Sequence, residues 1–133
     1  MSIQWKDEYS VNVKLIDDQH KNFIKILNKI YDSLDNMQSA NLNIIFIELI
    51  SYINYHFTTE EKYFEIFDYE GKTEHEADHN KFRKKINELR QNFHENKVAL
   101  TLDLADYLED WLLNHINGMD KKYTKCFNDH GLS

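Results

Sequence analysis

Hydrophobic residues recur along this chain at alternating spacings of three and four, which lays a single apolar stripe down a helix. The first stripe is Ile16, His20, Phe23, Leu27, Ile30, Leu34 and Met37, predicting a helix over about 18–37. Lys21, Asn22, Lys25, Asn28 and Lys29 take its wet face. A second helix, over about 41–67, carries Leu42, Phe46, Leu49, Ile53, His56, Glu60, Tyr63 and Phe67. The third, over about 73–93, carries His75, His79, Phe82, Ile86, Leu89 and Phe93, and Thr73 with Glu76 has the spacing of a capping box at its start. Thr101 caps a fourth, over about 101–117, striped by Leu104, Leu108, Trp111 and His115, and a short helix over about 121–128 follows.

Proline is absent, and glycine occurs only at Gly71, Gly118 and Gly131. The punctuation of β-rich folds is therefore missing, and the expected fold class is all-α. Short connections between the stripes predict antiparallel neighbours. The architecture that follows is an up-down-up-down four-helix bundle with an N-terminal arm of about fifteen residues and a short C-terminal helix. At 133 residues, 41% hydrophobic and 29% charged, the chain suits one domain, 1–133, with one core.

A formal charge of −7 argues against nucleic acid as a partner, because counterion release needs clustered Lys and Arg facing the phosphates. The opening MSIQWKDEYS lacks the order of a secretory signal, and no apolar run reaches bilayer length. We therefore expect a soluble, cytoplasmic protein with no membrane partner. Cys126 is the lone cysteine, so it makes neither an internal disulfide nor a sulfur-based metal site. Seven histidines against one cysteine is the informative imbalance.

Five of those histidines, His20, His56, His75, His79 and His115, fall with Glu60 where a bundle wants Leu or Ile; His94 and His130 do not. One histidine on an apolar stripe is most often a satisfied core residue. Five together with a carboxylate are different. A buried, unpaired carboxylate costs several kcal/mol, against a total stability of about 5 to 15 kcal/mol for such a domain. Lys and Arg are missing from every inward stripe, so no internal cation neutralises Glu60. A bound metal supplies that charge and uses the imidazole lone pairs at once. His56 with Glu60, and His75 with His79, stand one turn apart on one face, as chelation requires. His115 and Asp120 lie five apart, about 140° around an ideal helix, so both reach the centre only through an irregular last turn, which Gly118 permits. Five nitrogens and two oxygens exceed one tetrahedral zinc and point to two iron-like ions, with zinc and manganese still open.

Read in order, Ile16-Asp17-Asp18-Gln19-His20, His56-Phe57-Thr58-Thr59-Glu60-Glu61, His75-x3-His79 and His115-Ile116-x3-Asp120-x2-Tyr123 resemble the hemerythrin family from Trp5 to Tyr123. The length is similar to that of a stand-alone bacterial member. The resemblance implies two iron ions (Fe2+/Fe3+) with a bridging oxo or hydroxo group, and dioxygen as the ligand. It places His75, His79 and His115 on one iron and His20 and His56 on the other, bridged by Glu60 and Asp120, with an open position on the second for oxygen. It also implies an apolar oxygen pocket of Phe23, Ile24, Trp111, Leu112 and Ile116, and a Tyr123 that orients the Asp120 carboxylate. Read without the family, Trp111 and Tyr123 are equally well packing aromatics. The chain departs from the pattern in lacking a proline before His75 and in its bulky Tyr63-Phe64 pair.

Reversible oxygen binding, without enzymatic turnover, is the expectation from these residues. The main alternative is a di-iron oxidoreductase on the same fold, handling peroxide or nitric oxide, which would need only a proton donor or a water path in the pocket. A ferritin-like oxidase would use paired Glu-x-x-His strings, and this chain has one, Glu76 to His79. A sensor lacks an output domain here, a metal-free adaptor fails on the buried charge, and the sequence names no protein partner.

Overall fold

The computed structural model describes residues 3–35, 39–94 and 102–133, with side chains at all of these except 34–35, 39–43, 90, 92–94 and 102–104. The stripe positions Leu34, Met37, Leu42, Phe93 and Leu104, the Thr101 cap and the off-stripe His94 lie outside the described side chains. The elements are a 3-10 turn at Asp7–Tyr9, α1 (Lys14–Asp35), α2 (Ser39–Ile66), α3 (Lys72–His94), α4 (Leu102–Asn117), a 3-10 turn at Asp120–Tyr123 and α5 (Thr124–Asp129). They form an antiparallel four-helix bundle in which α1 packs on α2 and α4, and α2 on α3. No described helix is long and apolar enough to cross a membrane.

Helix α1 starts four residues earlier than the apolar stripe predicts. The Asp17 carboxylate explains the extension, because it accepts from the Val11 N–H at 2.8 Å and the Ser10 hydroxyl at 2.6 Å and so fastens the arm across the first turn. Asn12, at a φ of 56°, turns the chain between them. The arm is anchored again where Asn28 accepts from the Ile3 N–H and donates to its carbonyl. Asn28, predicted for the wet face, is half-buried for that reason.

The left-handed position after α2 is held by an aspartate in place of the usual glycine. Asp68 takes the left-handed conformation at a φ of 48°, the Tyr69 N–H reaches back to the Phe64 carbonyl at 2.9 Å, and the two rings pack at 5.1 Å. This is a Schellman motif with its usual apolar clasp, built on an aspartate that tolerates positive φ. The chain then enters α3 at Lys72, and the Gly71 carbonyl accepts from the His75 N–H at 3.0 Å. Thr73 therefore sits inside the first turn, and the capping box expected of Thr73 and Glu76 is not the device that opens this helix. Gly131, at a φ of 87°, closes α5 with a second Schellman motif, Leu132 N–H to Phe127 carbonyl at 2.9 Å.

The core divides in two. One cluster contains Phe23, Leu27, Ile30, Phe46, Leu49, Ile53, Phe57, Phe82, Leu108, Leu112 and Ile116. The other contains Val11, Val13, Ile16, Phe64, Tyr69, Tyr123 and Phe127. Between them on α1, α2 and α3 lie inward polar residues: His20 between Ile16 and Phe23, Glu60 between Phe57 and Phe64, His75 and His79 between Tyr69 and Phe82. The second cluster also joins the chain ends, with Thr124 donating to the Val11 carbonyl at 2.8 Å and Asn128 to that of Asn12 at 3.0 Å.

One stripe position is corrected. Phe64, fully buried, replaces Tyr63 as the inward residue after Glu60, because four residues on from Glu60 keeps the face aimed at the bundle axis while Tyr63 drifts to its edge. Phe64→Ala should accordingly cost about 3–5 kcal/mol of stability, and Tyr63→Ala clearly less. Urea midpoints of the two variants check this; equal losses would contradict the assigned face.

Candidate metal centre

Four helices and a turn converge on one buried layer. α1 supplies His20, α2 His56 and Glu60, α3 His75 and His79, α4 His115, and the 3-10 turn after α4 supplies Asp120 and Tyr123. The seven imidazole and carboxylate side chains are between 0% and 5% exposed. His115 and Asp120 meet as the sequence requires: α4 stops at Asn117, and a tighter turn beginning at Asp120 swings that carboxylate inward. Gly118 lies in the break, where a Cβ would stand 3.0 Å from the Asn114 carbonyl.

The inward atoms crowd one another. Asp120 Oδ1 lies 2.9 Å from His75 Nε2 and 3.0 Å from His115 Nε2, while its Oδ2 lies 3.0 Å from His20 Nε2. Glu60 Oε1 lies 3.2 Å from His56 Nε2 and 3.3 Å from His79 Nε2. Two imidazole pairs oppose nitrogen to nitrogen, His20 with His56 at 3.1 Å and His75 with His115 at 3.2 Å. Glu60 Oε1, both Asp120 oxygens and His79 Nε2 have no hydrogen-bond partner. Buried polar atoms left so are rare and costly.

A shared cation fits that arrangement. Two donors held about 2.1 Å from one ion at right angles stand about 3.0 Å apart, close to the spacing of both imidazole pairs. The donors fall into two sets, Glu60, His75, His79, His115 and Asp120, and His20, His56, Glu60 and Asp120. Within each set one ligand atom per residue lies within 4.8 Å of the others. Both carboxylates belong to both sets, so the layer can hold two ions side by side with Glu60 and Asp120 between them.

The outer ring nitrogens are held by a further set of side chains that the spacing argument did not single out. His56 Nδ1 pairs with Gln19 Oε1 at 2.6 Å, His79 Nδ1 with Glu61 Oε2 at 2.9 Å and His115 Nδ1 with Asp78 Oδ2 at 2.7 Å. Each acceptor holds a proton on Nδ1 and leaves Nε2 as the inward ligand atom. Arg83 in turn holds Glu61 through two bonds, at 2.9 and 3.1 Å. Their signal was adjacency: Gln19, Glu61 and Asp78 each neighbour an inward residue in sequence, and so reach past the layer's rim to a ring on another helix.

Tyr123 departs from its expected partner. Its hydroxyl donates to Glu60 Oε2 at 2.6 Å, not to Asp120, because the 3-10 turn carries the ring across toward α2. Phe23, Ile24, Leu112 and Ile116 are buried in the larger apolar cluster, while Trp111 is half-buried against it. The Trp111 ring stacks on His115 at 4.6 Å and on Phe82 at 3.6 Å, on the three-imidazole side of the layer. His130 is exposed just after α5, stacked on Phe67, and takes no part.

The electrostatics follow from burial and pairing. Burial opposes charge on His115, yet the Asp120 carboxylate outweighs it and raises the imidazole to about 10. Burial likewise opposes charge on His79, and Glu60 with Glu61 overcomes it, again raising the pKa. His20, dominated by burial, is lowered. Asp120 is held well below the carboxylate range by His115, His20 and His75 despite its burial, and burial pushes the Tyr123 hydroxyl well up.

Comparison with known proteins accords with this geometry. The family model of the hemerythrin HHE cation-binding domain matches residues 11–126. The bacteriohemerythrin of Methylococcus capsulatus is 31% identical over 121 residues, covering 91% of this chain and 92% of that protein. The myohemerythrin of Sipunculus nudus is 32% identical over 122 residues, 90% of this chain and 88% of its own. The crystal structure of wild-type hemerythrin superposes with a TM-score of 0.90 at 30% identity, covering 93% of this chain and 96% of that one. With the likeness running through every helix that feeds the polar layer, this chain belongs to the hemerythrin family, whose members bind oxygen at a di-iron site.

Proposed function

We propose that this chain binds dioxygen reversibly, for storage, delivery or sensing, at two non-haem irons joined by Glu60, Asp120 and an oxo or hydroxo bridge. The observation that carries the reading is the uneven division of donors, three imidazoles to one side and two to the other, with both carboxylates common to the two sets. His75, His79 and His115 would hold one iron and His20 and His56 the other, leaving the second with one protein ligand fewer and a position for oxygen. The iron pair, when bound, supplies a reversible two-electron couple. We place the protein in the cytoplasm, where the lone Cys126 stays reduced.

The chain's own residues account for reversibility. Tyr123 pins Glu60 through a 2.6 Å bond, and Gln19, Glu61 and Asp78 fix the rings of His56, His79 and His115, so the donors keep one geometry. Phe23, Ile24, Leu112 and Ile116 exclude water from the neighbouring core, with Trp111 at its margin. None of these five carries an acidic proton, and the Tyr123 proton is committed to Glu60. An oxidoreductase would need a donor poised to protonate bound oxygen.

Three outcomes follow. Protein reduced anaerobically and re-exposed to air should regain its visible charge-transfer bands and lose them again under low oxygen over repeated cycles; one-way conversion with peroxide turnover would indicate the oxidoreductase instead. His75→Ala and Glu60→Ala should each lose bound iron and melt lower, while His130→Ala retains both; elemental analysis and thermal melts check this, and equal behaviour of the three would refute the ligand set. Because His115 is raised to about 10, it is protonated at pH 7 in metal-free protein and must lose that proton to become a ligand. Ferrous addition in weak buffer should therefore release protons, and metal affinity should fall as pH is lowered. No proton release would contradict the His115 assignment.

A further inference from the structure

Between α3 and α4 the surface opens into a groove of about 420 Å³, lined by three lysines, Lys81, Lys84 and Lys85, two acids, Asp78 and Glu88, and the rings of Phe82, Tyr107 and Trp111. The three lysines are exposed, and none has an ion pair among the described residues. Lysines elsewhere are commonly paired, as Lys14 is with Asp18, Lys29 with Glu48, Lys72 with Asp68 and Lys125 with Asp129. Against Asp78 and Glu88 in the same lining they leave the groove with a formal excess of one positive charge, on a chain whose net charge is −7. Of the two acids in the lining, Asp78 is already engaged by His115 Nδ1 at 2.7 Å.

The groove is one side chain from the buried layer. Trp111 lines it, and the same ring stacks within 4.6 Å and 13° of His115, whose Nε2 lies 3.0 Å from Asp120. Asp78 makes a second link to the same imidazole. Phe82 stacks on the other side of the contact at 3.6 Å and 15°, so the indole is held between two rings. Lysines around a half-buried aromatic that touches the cluster make a surface suited to brief docking of a negatively charged electron donor, since complementary charge speeds encounter more than it tightens binding.

We propose that this groove is where an acidic electron-donor protein docks to reduce the iron pair, the electrons passing through Trp111 and His115. The inference rests on the di-iron reading above. Each donor molecule loses one electron and one ferric ion becomes ferrous, so two encounters restore the oxygen-binding state, with one proton taken up from solvent where an oxo bridge becomes hydroxo. Such a step is needed whenever bound oxygen leaves with electrons and strands the pair in the ferric state.

The test uses reduced flavodoxin, an acidic flavin protein, as the probe, mixed anaerobically with iron-loaded oxidised protein. At low ionic strength the ferric bands of the parent chain should bleach quickly, and slow steeply as salt is added. The Lys81→Glu, Lys84→Glu, Lys85→Glu triple variant should be reduced at least about tenfold more slowly by flavodoxin, yet no more slowly by the small cation methyl viologen radical. Independently of any reduction, oxidised flavodoxin should shift the Trp111 indole N–H resonance of the parent and not that of the triple variant. Equal flavodoxin rates and equal shifts in parent and variant would overturn the docking site. Shifts without any ferric band to bleach would instead strike the di-iron reading, and the electron route with it.

Discussion

Everything in this bundle is arranged around the cost of burying seven ionisable side chains in a layer with no lysine or arginine of its own. Imidazoles face imidazoles at 3.1 and 3.2 Å, and two carboxylates point into them with three of their four oxygens lacking a hydrogen-bond partner. In a protein interior, such a set stands only if a positive charge completes it, and a proton on His115 supplies only part of that charge. The layer therefore couples folding to what it holds: a divalent ion bound there would replace that proton, satisfy the lone pairs and tie four helices together.

The remainder of the fold protects that layer. Two apolar clusters lie on either side of it and keep water out, and aromatic rings pack directly on the imidazoles: Phe57 on His79 at 3.8 Å, Trp111 on His115 at 4.6 Å, Phe64 on His75 at 4.8 Å. The N-terminal arm and the last helix, far apart in sequence, are bonded together beneath it. Tyr123 shows the economy of this design, since one residue belongs to the lower apolar cluster and also fixes Glu60. Toward the α3–α4 groove the protection thins to the Trp111 indole and the Asp78 carboxylate, both in contact with His115.

Much of this was legible because a helix repeats. The stripes placed His20, His56, Glu60, His75, His79 and His115 on one interior, and the spacing of Asp120 demanded the irregular turn that the structure has at Asp120–Tyr123. What sequence alone did not resolve depends on how far a helix rotates or where a side chain lands on a neighbour. Periodicity could not separate Tyr63 from Phe64, since both fit a three-or-four spacing, nor tell that the Tyr123 hydroxyl crosses to α2. Capping was misjudged at Thr73 because the Schellman turn at Asp68 hands the chain to α3 one residue early, with Gly71 as its cap. Gln19, Glu61 and Asp78 were hidden by sitting one residue off the stripe, where solvent-facing polar side chains are ordinarily unremarkable.

The central claim is that one layer holds two metal ions sharing two carboxylates. Anomalous diffraction at the iron edge, from crystals of iron-loaded protein, tests it most directly. The account predicts two peaks about 3–4 Å apart between Glu60 and Asp120, one against His75, His79 and His115 and the other against His20 and His56. A single peak, or iron bound anywhere outside this layer, would contradict it.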